Sequence, residues 1–310
     1  MKNITELLNI KYPVIQGAMA NISTYKLVAA VSNGGGLGVI ASSANDAEWM
    51  RNQIRKTKEL TDKPFGVNVL LLSPHAKDIA QVVIEEGVKV VTTGAGSPLP
   101  YMEAWKKAGI IILPVVPNVA LAKRMERYGA DGVIAEGTEA GGHIGETTTF
   151  SLIPQVAAEL TIPVIAAGGI ADHRGVLAAF ALGAKGVQAG TVFLASEECE
   201  IHENYKNMIL KAKDTSSVVT GRGSGAPVRV LKNQMSTEYL NMSYKGATLE
   251  ELEKLTLGSL RRAILDGDVE RGSFMAGQIS GLISEVRPVK KILEDLINPV
   301  EKYLKELVVL

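Results

Sequence analysis

The chain of 310 residues has little cysteine, few aromatic residues and no net charge. Its one cysteine, Cys199, excludes an intramolecular disulfide and a cysteine-based zinc site. Lys and Arg number 33 together, as do Asp and Glu, so no excess of positive charge predicts a nucleic-acid or anionic-membrane partner. The longest apolar runs, such as Ile110–Val116, fall far short of the ~20 residues that span a bilayer. The N-terminal segment carries Glu6 and no signal-peptide pattern, so a cytoplasmic protein is expected.

Glycine and small aliphatic residues are what the sequence has in quantity. Hydrophobic residues make up 46%, which excludes a disordered chain, and aromatic residues only 5%, so the core must be built from Val, Ile, Leu and Ala. The 31 glycines show no three-residue repeat, which excludes collagen. Some other feature of the fold or the function must therefore need this much glycine.

Short β-branched runs recur at intervals of roughly 25 residues, the length of one strand-helix unit. These runs are continuous rather than alternating, as is typical of parallel strands covered by helices on both sides. The predicted strands are Val14–Ala18, Leu37–Ala41, Gly66–Leu71, Lys89–Gly94, Ile110–Val116, Gly132–Glu136, Pro163–Ala167 and Gly186–Ala189. The predicted helices between them are Ala47–Leu60, Ala76–Glu86, Tyr101–Lys107, Ala120–Tyr128, Leu152–Leu160 and Arg174–Leu182.

This alternation predicts an α/β protein with a (β/α)₈ TIM barrel over residues 1–196. The competing fold is a doubly wound open sheet, but that fold has about five to seven strands and one early Gly-rich turn. Residues 197–270 are richer in charge and predict a mostly helical extension or lid near the barrel mouth, with helices at Asn204–Lys213 and Leu249–Asp266. Residues 271–310 predict a return segment and a C-terminal amphipathic helix, from Lys290–Leu296 to Glu301–Val308, that packs on the barrel.

Two glycine turns at the ends of the last two predicted strands have the chemistry of a phosphate site. In TIM barrels a phosphate group binds backbone N–H groups after the seventh and eighth strands. Gly168-Gly169 and Gly190-Thr191 occupy these places, and glycine lets the backbone approach such a ligand closely. The alternative is that these glycines only make tight turns. The pair favours a phosphate site without specifying the group attached to the phosphate.

His143 is the histidine with a credible functional position. It lies in an Ala-Gly-Gly-His-Ile-Gly loop after the sixth predicted strand, where it could exchange a proton or simply bond a backbone carbonyl. His75, His173 and His202 fit solvated surface positions better. No HxH, HExxH or carboxylate cluster predicts a metal site.

Uncharged polar residues interrupt otherwise apolar strands, and each needs a hydrogen-bond partner if it is buried. A flat heterocycle would satisfy Asn68 and Gln188, as could neighbouring backbone, and Glu136 could bond a hydroxylated chain or pair with a lysine. Met19 and the late segment Met275-Ala276-Gly277-Gln278 could pack against a ring, although methionine more often fills a core.

Several of these segments are similar to those of a known family, the nitronate monooxygenase (2-nitropropane dioxygenase) superfamily of FMN-dependent TIM barrels. The segments are Gln16-Gly17-Ala18-Met19-Ala20, Gly35-Gly36-Leu37-Gly38, Lys63-Pro64-Phe65-Gly66-Val67-Asn68, Glu139-Ala140-Gly141-Gly142-His143 and Ala166-Ala167-Gly168-Gly169-Ile170. Within the superfamily the chain most resembles enoyl-[acyl-carrier-protein] reductase II. That closer likeness rests on the segments Val90–Gly96, Val115–Pro117, Ala120–Met125 and Gly272–Gln278.

The resemblance implies an FMN-binding flavoprotein and assigns roles to residues already singled out. It implies an FMN phosphate at Gly168, Gly169, Gly190 and Thr191. It implies an isoalloxazine ring against Gly17, Ala18 and Met19, with Asn68, Glu136 and Gln188 among its polar contacts. His143 matches the active-site histidine of the family. The strand 1 loop of the family usually reads Gln-Gly-Gly-Met, so Ala18 is a departure.

The expected activity is a hydride relay from NADH or NADPH through FMN to a trans-2-enoyl thioester of fatty-acid synthesis, either small or bound to an acyl carrier protein. A proton would reach the α-carbon from His143 or from a water that it positions. The first alternative is a nitronate monooxygenase that oxidises alkyl nitronates with O₂. Further alternatives are a flavin-free isomerase or lyase acting on a sugar phosphate, and a protein that stores or senses flavin. A homodimer is expected by default for such barrels.

Overall fold

A computed structural model describes residues 3–308 as a closed parallel barrel surrounded by helices. The eight barrel strands follow one another around the ring in chain order, and all their pairings are parallel. The pairing of Ile15 with Leu37 closes the ring, because the Leu37 N–H donates to Val14 O and the Gln16 N–H to Leu37 O, each at 2.9 Å. The predicted fold class is confirmed.

Each predicted strand is present, shifted by at most a residue or two at its ends. The barrel strands are β1 (Val14–Gln16), β2 (Gly38–Ala41), β3 (Phe65–Leu70), β4 (Val90–Gly94), β5 (Ile111–Val116), β6 (Val133–Glu136), β8 (Val164–Ala167) and β9 (Gly186–Ala189), while β7 (Gly142–His143) belongs to a second sheet. The helices up to β9 are α1 (Ile4–Leu8), α2 (Tyr25–Gly34), α3 (Ala47–Leu60), α4 (Ala76–Glu85), α5 (Leu99–Lys107), α6 (Val119–Arg127), α7 (Thr149–Glu159) and α8 (His173–Ala181).

Side-chain alternation along the strands produces two apolar cores. One lies between the strands and the helices and includes Val67 and Val91. The other fills the inside of the barrel with residues such as Val39 and Leu113, and α1 contributes Ile4 to it. Because alternate residues of a strand face the same side, the polar residues near the carboxyl ends of β3, β4, β6 and β9 continue the inward-facing rows. These residues are Asn68, Thr92, Glu136 and Gln188.

The chain after β9 contains short helices and a hairpin. The helices are α9 (Thr191–Leu194), α10 (Glu203–Leu210), α11 (Gln234–Tyr244), α12 (Leu249–Thr256), α13 (Ser259–Arg261), α14 (Val289–Ile297) and α15 (Val300–Leu307), with single 3₁₀ or π turns at Arg222–Ser224, Arg262–Asp266 and Gln278–Leu282. The hairpin strands β10 (Ser217–Thr220) and β11 (Val228–Leu231) are antiparallel, and β11 also pairs with β7, placing Val228 opposite His143.

The sequence predicted neither strand of this hairpin. Each has only four residues, and the third strand of the sheet is two residues of a glycine-rich loop, so no long alternating pattern marks it. The predicted helix over Leu249–Asp266 is interrupted, since Gly258 adopts φ 72° between α12 and α13. The single predicted C-terminal helix is two helices, because Pro299 precedes α15 and cannot continue the hydrogen bonding of α14.

Among residues 3–308, no helix is both long and apolar enough to cross a membrane.

Candidate active site

The Gly168-Gly169 turn follows β8 and is fastened to the loop after β6. Its residues have φ 94° and 73°, a region that strongly favours glycine. The Thr149 hydroxyl oxygen lies 3.0 Å from Gly168 O, and a Cβ added to Gly168 would lie 2.9 Å from Gly137 O. The turn geometry by itself therefore requires glycine at these two positions, whether or not they also bind a phosphate.

Gly190 differs, since nothing in its own conformation requires glycine. Its φ is −115°, and a Cβ added to it would make an ordinary contact of 3.6 Å with Met19 Sδ. The neighbouring Thr191 is buried, and its Oγ1 accepts the Gly277 N–H at 2.9 Å. The Thr191 hydroxyl proton is left to bond a further acceptor. The presence of glycine at position 190 is therefore better explained by close approach of a ligand to this backbone than by the needs of folding.

The loop after β1 is held by Gln16, whose side chain has 0% exposure. Its Nε2 donates to Gly17 O and, at 2.8 Å, to the Ser23 hydroxyl, while its Oε1 accepts the Val39 N–H at 3.1 Å. The Ser23 hydroxyl in turn accepts the Met19 N–H at 2.9 Å. These bonds fix Gly17, Ala18 and Met19 at the carboxyl end of the barrel. Gln16 was not among the predicted site residues, although it is a polar residue in an apolar strand like Asn68.

Gly17 lies against Gln188 on the neighbouring strand. Its N–H donates to Ala189 O at 2.8 Å, and a Cβ added to it would lie 3.3 Å from Gln188 Cγ. Asn68 faces the same interior and donates to the Thr92 hydroxyl at 2.9 Å. A neighbouring side chain therefore satisfies part of the Asn68 amide, where the alternative to a bound heterocycle had been neighbouring backbone.

Gln188 and Glu136 are different, because no hydrogen bond from residues 3–308 reaches either side chain. Gln188 is buried at 9% exposure. Glu136 is half-buried within the barrel mouth, and burial raises the pKa of its carboxyl group to about 7, with no charged neighbour contributing. The lysine partner considered for Glu136 is thus not found within the described range. Two polar groups without protein partners at the end of an apolar barrel fit a polar ligand there.

His143 is exposed on β7 at the rim of the barrel. Within residues 3–308 its imidazole has no hydrogen-bond partner, so it is not the carbonyl-bonded loop histidine that the sequence also allowed. Gly142 has φ 78°, and a Cβ placed on it would lie 3.7 Å from Met275 Sδ. Met275 is therefore close to the backbone that carries His143. The other histidines begin helices or pack on them, and His202 Nδ1 caps α10 by accepting the Asn204 N–H at 3.1 Å.

The return segment closes against the same loop. A Cβ added to Gly141 would lie 2.7 Å from the Ala276 backbone, and one added to Gly277 would lie 2.7 Å from Glu139 O. The Gln278 N–H donates to Glu139 O at 2.9 Å, and the Gln278 side chain is exposed. Met275, Gly277 and Gln278 thus join the loop after β6 to Thr191 after β9. The fold brings the predicted site residues together at one end of the barrel.

Glu139 and Thr149 were missed as site-building residues. Both oxygens of the Glu139 carboxylate accept the Thr149 N–H, at 3.0 and 2.9 Å, and the Thr149 hydroxyl donates to Glu139 Oε2 at 2.9 Å. The carboxylate thereby caps α7 beside the Gly168-Gly169 turn. The signal for Glu139 was present in the Glu-Ala-Gly-Gly-His segment, but that for Thr149 was not. Residues 3–308 contain no group of three or more His, Cys, Asp or Glu side chains arranged to hold a metal ion.

The family model described as nitronate monooxygenase matches residues 1–299. The chain belongs to this family. It is accordingly an FMN-dependent oxidoreductase, as the sequence motifs predicted. The side chains of Gln188 and Glu136, which have no hydrogen-bond partner within residues 3–308, fit the polar ring of a flavin. Gly190, whose conformation does not require glycine, fits close approach of the flavin phosphate.

Three relatives show where the chain lies within the family. It is similar to the structure of FabK from Thermotoga maritima, with 49% identity and a TM-score of 0.96 over 99% of this chain and 98% of that one. It is 31% identical to an octahydro-indene-carboxyl-CoA dehydrogenase of Mycobacterium tuberculosis, with 95% of this chain and 94% of that protein covered. It is 32% identical to a probable nitronate monooxygenase of Staphylococcus aureus, with 97% and 98% covered. The named activities thus include both thioester and nitronate chemistry.

Proposed function

We propose that this protein is an FMN-dependent enoyl-[acyl-carrier-protein] reductase, which uses NADH or NADPH to reduce trans-2-enoyl thioesters in fatty-acid synthesis. The observation that carries the proposal is the likeness to FabK, the enoyl-[acyl-carrier-protein] reductase II, at 49% identity over 99% of this chain. That likeness extends beyond the barrel to the hairpin and the return segment, which form the surroundings of His143. A second relative is named for a CoA thioester, which is the same class of substrate.

Several groups at the barrel mouth would hold the cofactor. The backbone at Gly168, Gly169 and Gly190 and the Thr191 hydroxyl would bind the phosphate, since they supply N–H and O–H donors. The loop at Gly17–Met19 would lie against the ring, and the free Gln188 amide and Glu136 carboxyl group would bond its polar edge or the ribityl chain. The chemistry that FMN supplies when bound is hydride transfer from a reduced nicotinamide to the β-carbon of the enoyl thioester.

His143 would deliver a proton to the α-carbon of the substrate, directly or through a water that it orients. Three observations support this role: the imidazole is exposed at the rim, it has no competing partner within residues 3–308, and β11 fixes its backbone. Histidine is the side chain that most often serves as a general acid or base. Met275, adjacent to Gly142, would pack beside the substrate or the ring.

The direct test is anaerobic reduction of the flavin by NADH, followed by addition of crotonyl thioester. We expect the flavin to be reoxidised without oxygen, which is monitored by the recovery of its absorbance at about 450 nm. We expect His143→Ala to retain FMN and to lose at least about 100-fold in turnover, the usual contribution of a general acid. His75→Ala, a change of another histidine whose side chain makes no hydrogen bond within residues 3–308, is the control and should retain activity. A fully active His143→Ala would contradict the proposed proton transfer.

Nitronate oxidation is the second candidate, because the family model and the Staphylococcus aureus relative both have that name. In this case His143 would act as the base or anion partner of an alkyl nitronate. The assay is oxygen uptake with the nitronate of 2-nitropropane, run beside the thioester assay on one preparation. Oxygen uptake with no thioester turnover would replace the reductase proposal with this one. A flavin-bound protein inactive in both assays would favour a storage or sensing role.

A further inference from the structure

Arg229 is a buried cation that the proposed chemistry does not use. It lies on β11, has 5% exposure, and is opposite Gly142 on β7. Its Nε donates to Thr138 O at 3.0 Å and its Nη1 to the Ser217 hydroxyl at 3.0 Å. The guanidinium therefore joins three parts of the chain: β11, β10 and Thr138 in the loop between β6 and β7.

The Thr138 carbonyl is at the base of the loop that carries His143. The Thr138 N–H donates to Thr147 O at 2.9 Å, so residues 138–147 form a closed loop, here called the His143 loop. Arg229 holds this base through its side chain and holds the middle of the loop through the backbone pairing with Gly142. At the far side, the Ile144 N–H donates to Pro227 O at 3.1 Å. The pairing of Val228 with His143 and the ion pair of Arg222 with Glu146 also attach the loop to the hairpin, while Arg229 holds its base.

The charge of Arg229 is poorly compensated for a group so deeply placed. No carboxylate within residues 3–308 forms an ion pair with it, and its two hydrogen-bond acceptors are neutral. Burial lowers the pKa of Arg229, the charge of Glu139 opposes that effect, and Arg222 adds to it. A buried cation bonded only to neutral groups contributes little net stability. Its main effect is geometric, since the planar guanidinium fixes two acceptors at set directions.

We propose that Arg229 is a positioning residue, which fixes the His143 loop through Thr138 O and so sets the imidazole at the barrel mouth for proton transfer. The catalytic part of this inference rests on the proposed function of His143. The positional part does not, because it concerns the loop alone. Displacement of a catalytic group by about 1 Å can cost on the order of 100-fold in rate.

Hydrogen exchange of the FMN-loaded protein tests the positional part without any assay of activity. In Arg229→Met we expect the amides of residues 138–147 to exchange at least about threefold faster, while those of the barrel strands stay unchanged. Ser217→Ala is the matched control, because it removes the Nη1 partner and leaves the bond to Thr138; it should exchange like the wild type. Unchanged exchange of the His143 loop in Arg229→Met overturns the proposal.

A double-mutant cycle with His143→Ala tests the catalytic part. We expect Arg229→Met to lower kcat by about tenfold or more with little change in KM, and to have less than about a twofold effect when His143 is already Ala. Arg229→Lys keeps the charge and can reach one acceptor, so it should recover part of the rate. If Arg229→Met does not fold, Arg229→Lys takes its place in the cycle. Effects that multiply in the double mutant would show that Arg229 acts independently of His143 and would refute the inference. A fully active His143→Ala would instead refute the proposed role of His143 in proton transfer, and the exchange result would still decide whether Arg229 positions the loop.

Discussion

Three glycines that look alike in the sequence are glycine for different physical reasons in the structure. Gly168 and Gly169 adopt positive φ, so the turn after β8 needs them with or without a ligand. Gly190 has an ordinary φ and room for a methyl group against Met19. Of the three, Gly190 is therefore the one whose identity is best explained by the proposed phosphate site.

We expect Gly190→Ala to weaken FMN binding by about tenfold or more while the apoprotein keeps its stability within about 0.5 kcal/mol, because only the face toward the ligand is filled. Flavin fluorescence titration and urea unfolding of the apoprotein measure the two effects. Gly168→Ala is the contrasting variant and should cost at least about 1–2 kcal/mol, since alanine is strained at positive φ. A Gly190→Ala protein that binds FMN normally would argue against a phosphate at this position.

Glu136 makes the stability of the apoprotein depend on pH. Burial raises its pKa from 4.5 to about 7, so between these values the folded protein holds a proton that the unfolded chain has lost. Stability contributed by this group therefore falls as pH rises through that window, by about 3 kcal/mol for the full shift, and is constant above it. Glu136→Gln should remove this component, so its stability relative to wild type rises between about pH 5 and pH 8. Urea unfolding of both apoproteins at the two values checks this, and parallel pH profiles would contradict it.

At the scale of elements, the last two helices are both amphipathic but contribute differently. In α14 the side chains of Val289, Ile292, Leu293 and Leu296 are buried against the barrel shell. In α15 no side chain is buried, and Leu304 is 45% exposed. Periodicity predicts an apolar face for both helices, but only the tertiary packing decides which of the two helices has its apolar face buried.

This difference predicts unequal costs for the same substitution in the two helices. Leu293→Ala should destabilise the protein by about 2–5 kcal/mol, because it removes a fully buried side chain and leaves a cavity. Leu304→Ala should cost less than about 0.5 kcal/mol. Both values come from urea unfolding followed by circular dichroism, and a similar loss in the two variants would refute the assignment.

The elements that sequence reasoning predicted well are those with long local patterns. Helix α3 spans Ala47–Leu60 as predicted, since Asp46 accepts the Trp49 N–H at 2.8 Å and charged residues line its outer face. The sheet of β10, β11 and β7 was missed, because β10 and β11 have only four residues each and β7 comes from the glycine-rich loop that carries His143. Pairing between segments far apart in the chain leaves little trace in either segment alone.

At the scale of the whole molecule, Cys199 can report on global unfolding. It has 2% exposure, and burial raises the pKa of its thiol to about 12. Because the thiolate is the reactive species, we expect a disulfide reagent at neutral pH to label Cys199 only when the chain unfolds. Labelling across a urea series should share its midpoint with the loss of circular dichroism. Complete labelling of the native protein within minutes would contradict this.

Several properties of the whole molecule stay predictions. The cytoplasmic location, the homodimer, the choice between NADH and NADPH and the division at residues 196 and 270 follow from the sequence and the resemblance. Gel filtration at several concentrations would test the homodimer directly.

The sequence by itself determined the strand-helix rhythm, and hence the barrel, because each strand and helix carries its own apolar pattern. It also determined the family and the glycine turns, since these are short continuous motifs. Only the tertiary structure decided which polar residues have partners: Asn68 on β3 bonds Thr92 on the adjacent strand β4, whereas the side chains of Gln188 and Glu136 have no hydrogen-bond partner within residues 3–308. It also brought the Arg229 side chain to Thr138 O at the base of the His143 loop. No sequence pattern indicates this contact, because the two residues are far apart in the chain.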